Sequence, residues 1–157
     1  LAAVAVGIHF RTRPENIKLA LAGWSADNNR SQRIETERNV LIMDAYNANP
    51  TSMAAALESF GEQLHPDKVL MLGDMLELGE DTEVHHREVL DMASGLDCSE
   101  IFLVGKVFSS LELPGNTMAF LSVEELEEYL AGHPVSDRLI LLKASRGIGL
   151  ERIKDRL

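Results

Sequence analysis

Four stretches of this chain are apolar through their interiors rather than at every second position: NVLIMDA (39–45), KVLMLG (68–73), EIFLVG (100–105) and RLILLKA (138–144). A strand that is apolar on both sides needs cover on both faces, as strands of parallel sheets have and half-wet antiparallel strands do not. Between them lie segments with helical spacing. In 50–64, Met53, Leu57, Phe60 and Leu64 share a face; in 82–96, Val89, Met92, Ala93 and Leu96 do. VEELEEYLAG (123–132) reads as a helix stopped by Gly132 and Pro134, and GIGLERIKDRL (147–157) as a final helix. SQRIET (31–36) pairs with the first apolar stretch through a tight turn at Glu37-Arg38, and TMAFLS (117–122) adds another strand. The alternation predicts an α/β fold: a mostly parallel sheet with helices on both faces.

Two helices precede this domain. Residues 1–8 are apolar and Ala-rich. PENIKLALA (14–22) carries Pro14 at a first helical position and lines up Ile17, Ala20, Leu21 and Trp24. The turn-residue cluster SADNNRS (25–31) then marks a boundary, which places a helical tail at 1–29 and the main domain at 30–157. A chain that starts at Leu1, already inside a helical pattern, reads as a piece of something longer.

The net charge of −10, with 25 acids against 15 Lys and Arg, argues against a broad surface that tracks nucleic-acid phosphates, though not against a local anion pocket. The lone cysteine, Cys98, has no internal disulfide partner and fits a reducing, cytoplasmic setting. No apolar run approaches membrane-spanning length.

Open parallel sheets bind ligands beyond the carboxyl ends of their strands. Here those ends are Asp44-Ala45-Tyr46-Asn47, Gly73-Asp74-Met75, Gly105-Lys106 and Lys143-Ala144-Ser145-Arg146. The opposite edge, around residues 39, 67–68, 99–100 and 137–138, reads as lacking a comparable polar set. Asp44 suits a diol acceptor, or a carboxylate satisfied by backbone N–H groups. Tyr46 suits a stacking platform or rim packing. Asn49 before Pro50 has the chemistry of a helix N-cap, whereas Asn47 has no such role. In LGDMLELGED (72–81), Met75, Leu76 and Leu78 among the acids predict a loop that packs on the body. His85 and His86 diverge on a helix, and with no HExxH, CxxC or EF-hand pattern no protein-only metal site is expected. Lys143, Ser145 and Arg146 sit between a strand and Gly147-x-Gly149, a place for an anion or simply a tight turn with exposed bases. Arg30 lies at the boundary, as a surface residue or a ligand contact across a hinge. Neither GxxxxGK[ST] nor GxGxxG is present, so any ATP phosphate cradle lies elsewhere.

DAYNANPTSM (44–53), VLMLGDMLELGE (69–80) followed by HHREV (85–89), and LLKASRGIGLERI (141–153) resemble, in order and spacing, the carboxy-terminal portion of the Mur ligase family. The resemblance is to the type that adds D-alanyl-D-alanine to UDP-N-acetylmuramoyl-tripeptide. It covers essentially the whole chain. It implies that 1–29 is the tail of a central ATPase domain and that 30–157 is a Rossmann-like third domain of a cytoplasmic, monomeric enzyme of peptidoglycan synthesis. It also implies ATP and Mg²⁺ as cofactors, bound mainly by the central domain, and an acyl phosphate attacked by the dipeptide amine. The fragment would supply lid, ATP ribose contact and dipeptide site, and be inactive alone. By the resemblance Arg30 reaches ATP phosphates and Asp44 the ribose, with Tyr46, Asn47 and Asn49 in the nucleotide loop. Lys143, Ser145 and Arg146 bind the incoming substrate, and Asp74, Glu77 and His86 support the site from behind or act on its substrate side. Two departures stand out. Met43 precedes Asp44 where the family has a second acid, and Ala144 replaces a glycine in Lys-Gly-Ser-Arg, which questions a positive φ there.

Two other readings keep the sheet. A phospho-acceptor receiver domain also places an acid and a lysine at strand ends, but wants an acidic cluster where Met43-Asp44-Ala45 stands. A folyl-polyglutamate synthetase type of ligase shares the fold, and the YNANP loop argues against it.

Overall fold

A computed structural model describes residues 2–23 and 29–157. Helices α1 (Ala2–His9) and α2 (Pro14–Ala22) pack on each other, Gly7 lying so close to Ile17 that a β-carbon there would come within 2.8 Å of its Cδ1. Neither contains a buried residue; Ile8, Phe10 and Leu19 are exposed. Trp24, expected on the apolar face of α2, falls outside the described residues.

The main body is a six-stranded sheet: β1 (Gln32–Glu35), β2 (Val40–Asp44), β3 (Lys68–Gly73), β4 (Glu100–Val104), β5 (Thr117–Phe120) and β6 (Leu139–Lys143), in the spatial order β1-β2-β6-β3-β4-β5. β1 is antiparallel to β2, as a two-strand hairpin requires, and every other pairing is parallel. Period-two alternation splits each apolar strand between two cores. Leu41, Met43, Val69, Met71, Phe102, Ile140 and Leu142 pack under α5 (Val123–Gly132) and the chain end at Leu150, Ile153 and Leu157. Leu70, Leu72, Ile101, Leu103 and Leu141 pack under α3 (Pro50–Gly61) and α4 (Thr82–Ser94). The continuous apolar runs exist because both faces are covered.

Several boundaries move. α3 stops at Gly61, so Leu64 lies beyond the helix and is 99% exposed instead of inward. On α4, Met92 faces solvent; His86 and Leu90 join Val89 and Ala93 inside. The expected final helix is two 3₁₀ segments, Arg146–Ile148 and Leu150–Arg156. Gly149 between them adopts a left-handed φ of 75°, which breaks the helical path, and Leu157 is pinned through its carbonyl by Thr36 Oγ1 and Asn39 Nδ2.

The amino-terminal edge of the sheet is not bare, contrary to the sequence expectation. Asn39 is buried and donates to Val135 O at 2.9 Å and Leu157 O at 2.7 Å, while its Oδ1 accepts from Arg138 N at 3.1 Å. Arg138 pairs with Asp67, and Lys68 donates to Gly61 O. These groups answer one another and the backbone ends of loops far apart in sequence, so no local pattern announces them. Cys98 is buried, and that burial pushes its thiol above the ordinary range, with Lys68 opposing and Asp97 adding to the effect. At the start of α5 the hydrogen bond from Arg152 holds the Glu124 carboxyl below the usual range. Among the described residues no helix is long and apolar enough to cross a membrane.

Candidate functional site

β2 and β6 are neighbours, yet the chain leaves them in opposite directions. After β2 it enters α3 on one face; after β6 it enters the 3₁₀ segments on the other. This divergence opens a crevice at their carboxyl ends. The parallel register sets Asp44 beside Lys143, and alternation turns both toward the α3 side, opposite Met43 and Leu142. Neighbouring strands lie close enough for these side chains to meet. Lys143 Nζ donates to Asp44 Oδ2 at 2.6 Å and to Asn47 O at 3.2 Å. The Lys143 side chain is 2% exposed and that of Asp44 19%. Asp44 Oδ1 accepts from the backbone N–H of Ser31 at 3.1 Å, and Ser31 reaches it from a left-handed φ of 48°.

Tyr46 stands half-open above the pair. The Arg30 guanidinium lies 3.9 Å from its ring centroid and that of Arg146 lies 5.7 Å away, so two cations from opposite ends of the domain share one ring. Arg30, Asp44, Tyr46, Asn47, Ser52 and Lys143 line a cleft of about 300 Å³. A second hollow of about 310 Å³ continues past Asp44 between β2 and α3, over Ser31, Ile42, Ala55 and Ala56.

Asn49 does the work of an N-cap. Its Oδ1 accepts from Ser52 N at 2.9 Å while Ser52 Oγ accepts from Asn49 N at 3.0 Å, a reciprocal capping box. Asn47 is exposed, and its carbonyl receives Lys143. Ser145 is buried: its Oγ accepts from Leu76 N at 2.9 Å and lies 3.4 Å from Ala48 O, joining the exits of β2, β3 and β6. Of the three residues expected on the incoming substrate, Arg146 is the exposed one, and Lys143 and Ser145 face inward. Ala144 is fully buried and not among the residues with positive φ, so the backbone accepts an alanine there.

The supporting residues divide. Asp74 is 4% exposed, and its two oxygens accept from Val107 N at 2.9 Å and Phe108 N at 3.0 Å, capping the short turn after β4. His86 is fully buried. Its Nδ1 lies 2.6 Å from Thr82 O and its Nε2 receives Met75 N–H at 3.0 Å, so Nδ1 carries the proton. The same Nε2 lies 3.5 Å from Asp74 Oδ1, and the ring meets Phe108 edge-on. Met75 is buried and Leu78 partly so; the acidic loop does pack on the body. Glu77 is exposed, at a left-handed φ of 65°. His85 points elsewhere, onto Glu88. Among the described residues no group of three or more His, Cys, Asp or Glu is placed to hold a metal ion. Ser31 was missed in the sequence because its contribution is a backbone N–H; the polar run NNRSQ was the available signal.

The family described as "Mur ligase, glutamate ligase domain" matches residues 29–146. The chain is 34% identical over 167 residues to the UDP-N-acetylmuramoyl-tripeptide–D-alanyl-D-alanine ligase of Bacillus subtilis (strain 168), covering 98% of this chain and 35% of that protein. It therefore spans about a third of the length of the curated relatives it matches. A crystal structure of MurF from Acinetobacter baumannii superposes with a TM-score of 0.80 at 31% identity, over 98% of this chain and 35% of that one. The MurF ligase of Thermotoga maritima in complex with ADP shares the fold, with a TM-score of 0.74 at 21% identity over 88% of this chain and 32% of that one. A matched domain that includes the whole carboxyl edge of the sheet, together with relatives aligned from end to end of the chain, shows that this chain belongs to the Mur ligase family.

Proposed function

We propose that this chain is the C-terminal part of a cytoplasmic ATP-dependent ligase that joins D-alanyl-D-alanine to UDP-N-acetylmuramoyl-tripeptide, with residues 30–157 as its third domain and 1–29 as the tail of its central domain. The observation that carries the reading is the convergence of one acid, Asp44, with Arg30, Lys143 and Arg146 around Tyr46 at the divergence of β2 and β6. In a chain with ten more acids than bases, that local excess of cations marks an anion site. Relatives bearing the ligase name align with 98% of the chain and are about three times its length, and α1 and α2 bury nothing among the described residues, as a helical tail awaiting a domain would.

Within that reading each residue has a task. Asp44 accepts the hydroxyls of the ATP ribose, Arg30 approaches its phosphates, and Tyr46, Asn47 and Asn49 form the loop that faces the nucleotide. ATP with Mg²⁺, held mainly by the central domain, supplies the phosphoryl group that activates the nucleotide-substrate carboxylate. An acyl phosphate hydrolyses if water reaches it, so this domain serves as the lid that closes first. Arg146, exposed beside the cleft, offers a planar two-pronged contact to the carboxylate of the incoming dipeptide. Asp74, Ser145 and His86 hold the strand exits in register beneath. A receiver-type module is disfavoured here: Met43 is buried on the other face and Asp44 is paired with Lys143, which leaves no acidic cluster for a phospho-acceptor.

In the full-length ligase, Arg146→Ala is expected to raise the KM for D-alanyl-D-alanine roughly tenfold, the loss of one charge-assisted contact, with the KM for ATP within about twofold. An unchanged dipeptide KM overturns the assignment of Arg146. The 157-residue chain alone is expected to hydrolyse no ATP, since it has no phosphate-binding loop; steady phosphate release by it overturns the reading of a lid without catalytic machinery.

A further inference from the structure

Lys143 was expected to hold the incoming substrate, yet its ammonium is closed off from solvent. Two of its three N–H donors are already committed, to Asp44 Oδ2 and to Asn47 O. A dipeptide carboxylate would have to share an ammonium already bonded to Asp44 at 2.6 Å, on a side chain that is only 2% exposed. The geometry points to a different role: Lys143 is a positioning residue for the nucleotide, aiming the Asp44 carboxylate at the ribose. This rests on the reading above that Asp44 is the ribose acceptor.

The argument starts from the carboxylate. Each of its oxygens accepts two hydrogen bonds. Oδ1 takes one from Ser31 N–H and Oδ2 one from Lys143, and each oxygen keeps one lone pair. Those are the two acceptors a vicinal diol needs, side by side. A carboxylate free to rotate loses that freedom on binding, whereas one held at both oxygens has lost it already. The second bond of Lys143, to Asn47 O, holds the backbone just after Asp44, so the same ammonium fixes the carboxylate and the strand end that carries it.

The test compares ADP with 2′,3′-dideoxy-ADP, which lacks the diol, by calorimetry on the full-length ligase, alongside the KM for D-alanyl-D-alanine. Lys143→Met is expected to weaken ADP roughly tenfold while changing dideoxy-ADP and the dipeptide KM by less than about twofold. Asp44→Asn is expected to do the same, and the double variant to bind ADP no more weakly than either single one, because both substitutions remove one shared contact. Equal weakening of ADP and dideoxy-ADP by Lys143→Met makes Lys143 a charge acting on phosphates and overturns the inference. So does a rise in dipeptide KM with ADP binding unchanged. If Asp44→Asn keeps the full preference for ADP, the failure lies with Asp44 as ribose acceptor; if Asp44→Asn loses it and Lys143→Met keeps it, the failure lies with the positioning role. Lys143→Leu, which also has no donor, replaces Lys143→Met should that variant not fold, with the same readouts.

Discussion

Gly105→Ala is expected to lower the melting temperature of the 157-residue chain by about 10 °C or more. Gly105 directly follows β4 with a φ of 131°, a conformation side chains rarely adopt, and a β-carbon there would lie 2.2 Å from Asp74 Cγ and 2.3 Å from its Oδ2. The backbone has little room to retreat. Gly105 N–H donates to Phe120 O at 2.9 Å, and its carbonyl receives Ser109 N–H at 3.1 Å. The carboxylate must therefore move, and with it go the caps on Val107 N and Phe108 N. Backbone strain of about 1–3 kcal/mol adds to the loss of two charge-assisted bonds, so roughly 4 kcal/mol is a minimum. Gly115→Ala is the control: nothing lies within 4 Å of its added β-carbon, and it is expected to move the melting temperature by no more than about 2 °C. Equal melting temperatures for the two variants would show that Asp74 does not need the space above it.

The second large effect is expected at the buried pair. Asp44→Ala leaves the Lys143 ammonium, 2% exposed, facing only the Asn47 carbonyl, and removing one partner of a buried pair costs about 3 kcal/mol or more. Adding Lys143→Met takes away the stranded charge and fills its space with an apolar chain of similar length. The double variant is expected to recover to within about 1 kcal/mol of the parent in urea unfolding. Lys143→Met alone should be the milder single change, since Asp44 keeps Ser31 N–H and some access to water. A double variant no more stable than Asp44→Ala would mean that Lys143 is not left stranded. This measurement concerns the fold only, and does not depend on what the cleft binds.

Much of the architecture was readable because it depends on local periodicity. Continuous apolar runs could only be doubly covered strands, and each of the four is one. Asn49-Pro50 declared a helix start, and the capping box with Ser52 forms there. The errors came where a longer-range effect overrode spacing. Leu64 kept helical phase with Phe60, but the helix ends at Gly61. The terminal segment had a helical pattern, but Gly149 turns left-handed and Asn39 with Thr36 anchors Leu157, leaving two 3₁₀ pieces. The amino-terminal edge reads as bare in the sequence because Asn39, Asp67 and Arg138 are far apart along the chain and meet only at the edge.

At the site, the sequence by itself determined which residues stand at the carboxyl ends of the strands. Period-two and period-3.6 patterns mark where strands stop, and a parallel sheet gathers those stops on one edge. What each residue does there was decided by tertiary structure. Asp44 and Lys143 are 99 positions apart, and only the β2–β6 register places them side by side and facing the same way. Side-chain direction turned Lys143 and Ser145 inward and left Arg146 outside, although all three lie within four consecutive residues. The Ser31 contact uses a backbone N–H, which every residue but proline has, so no reading of residue types could single it out.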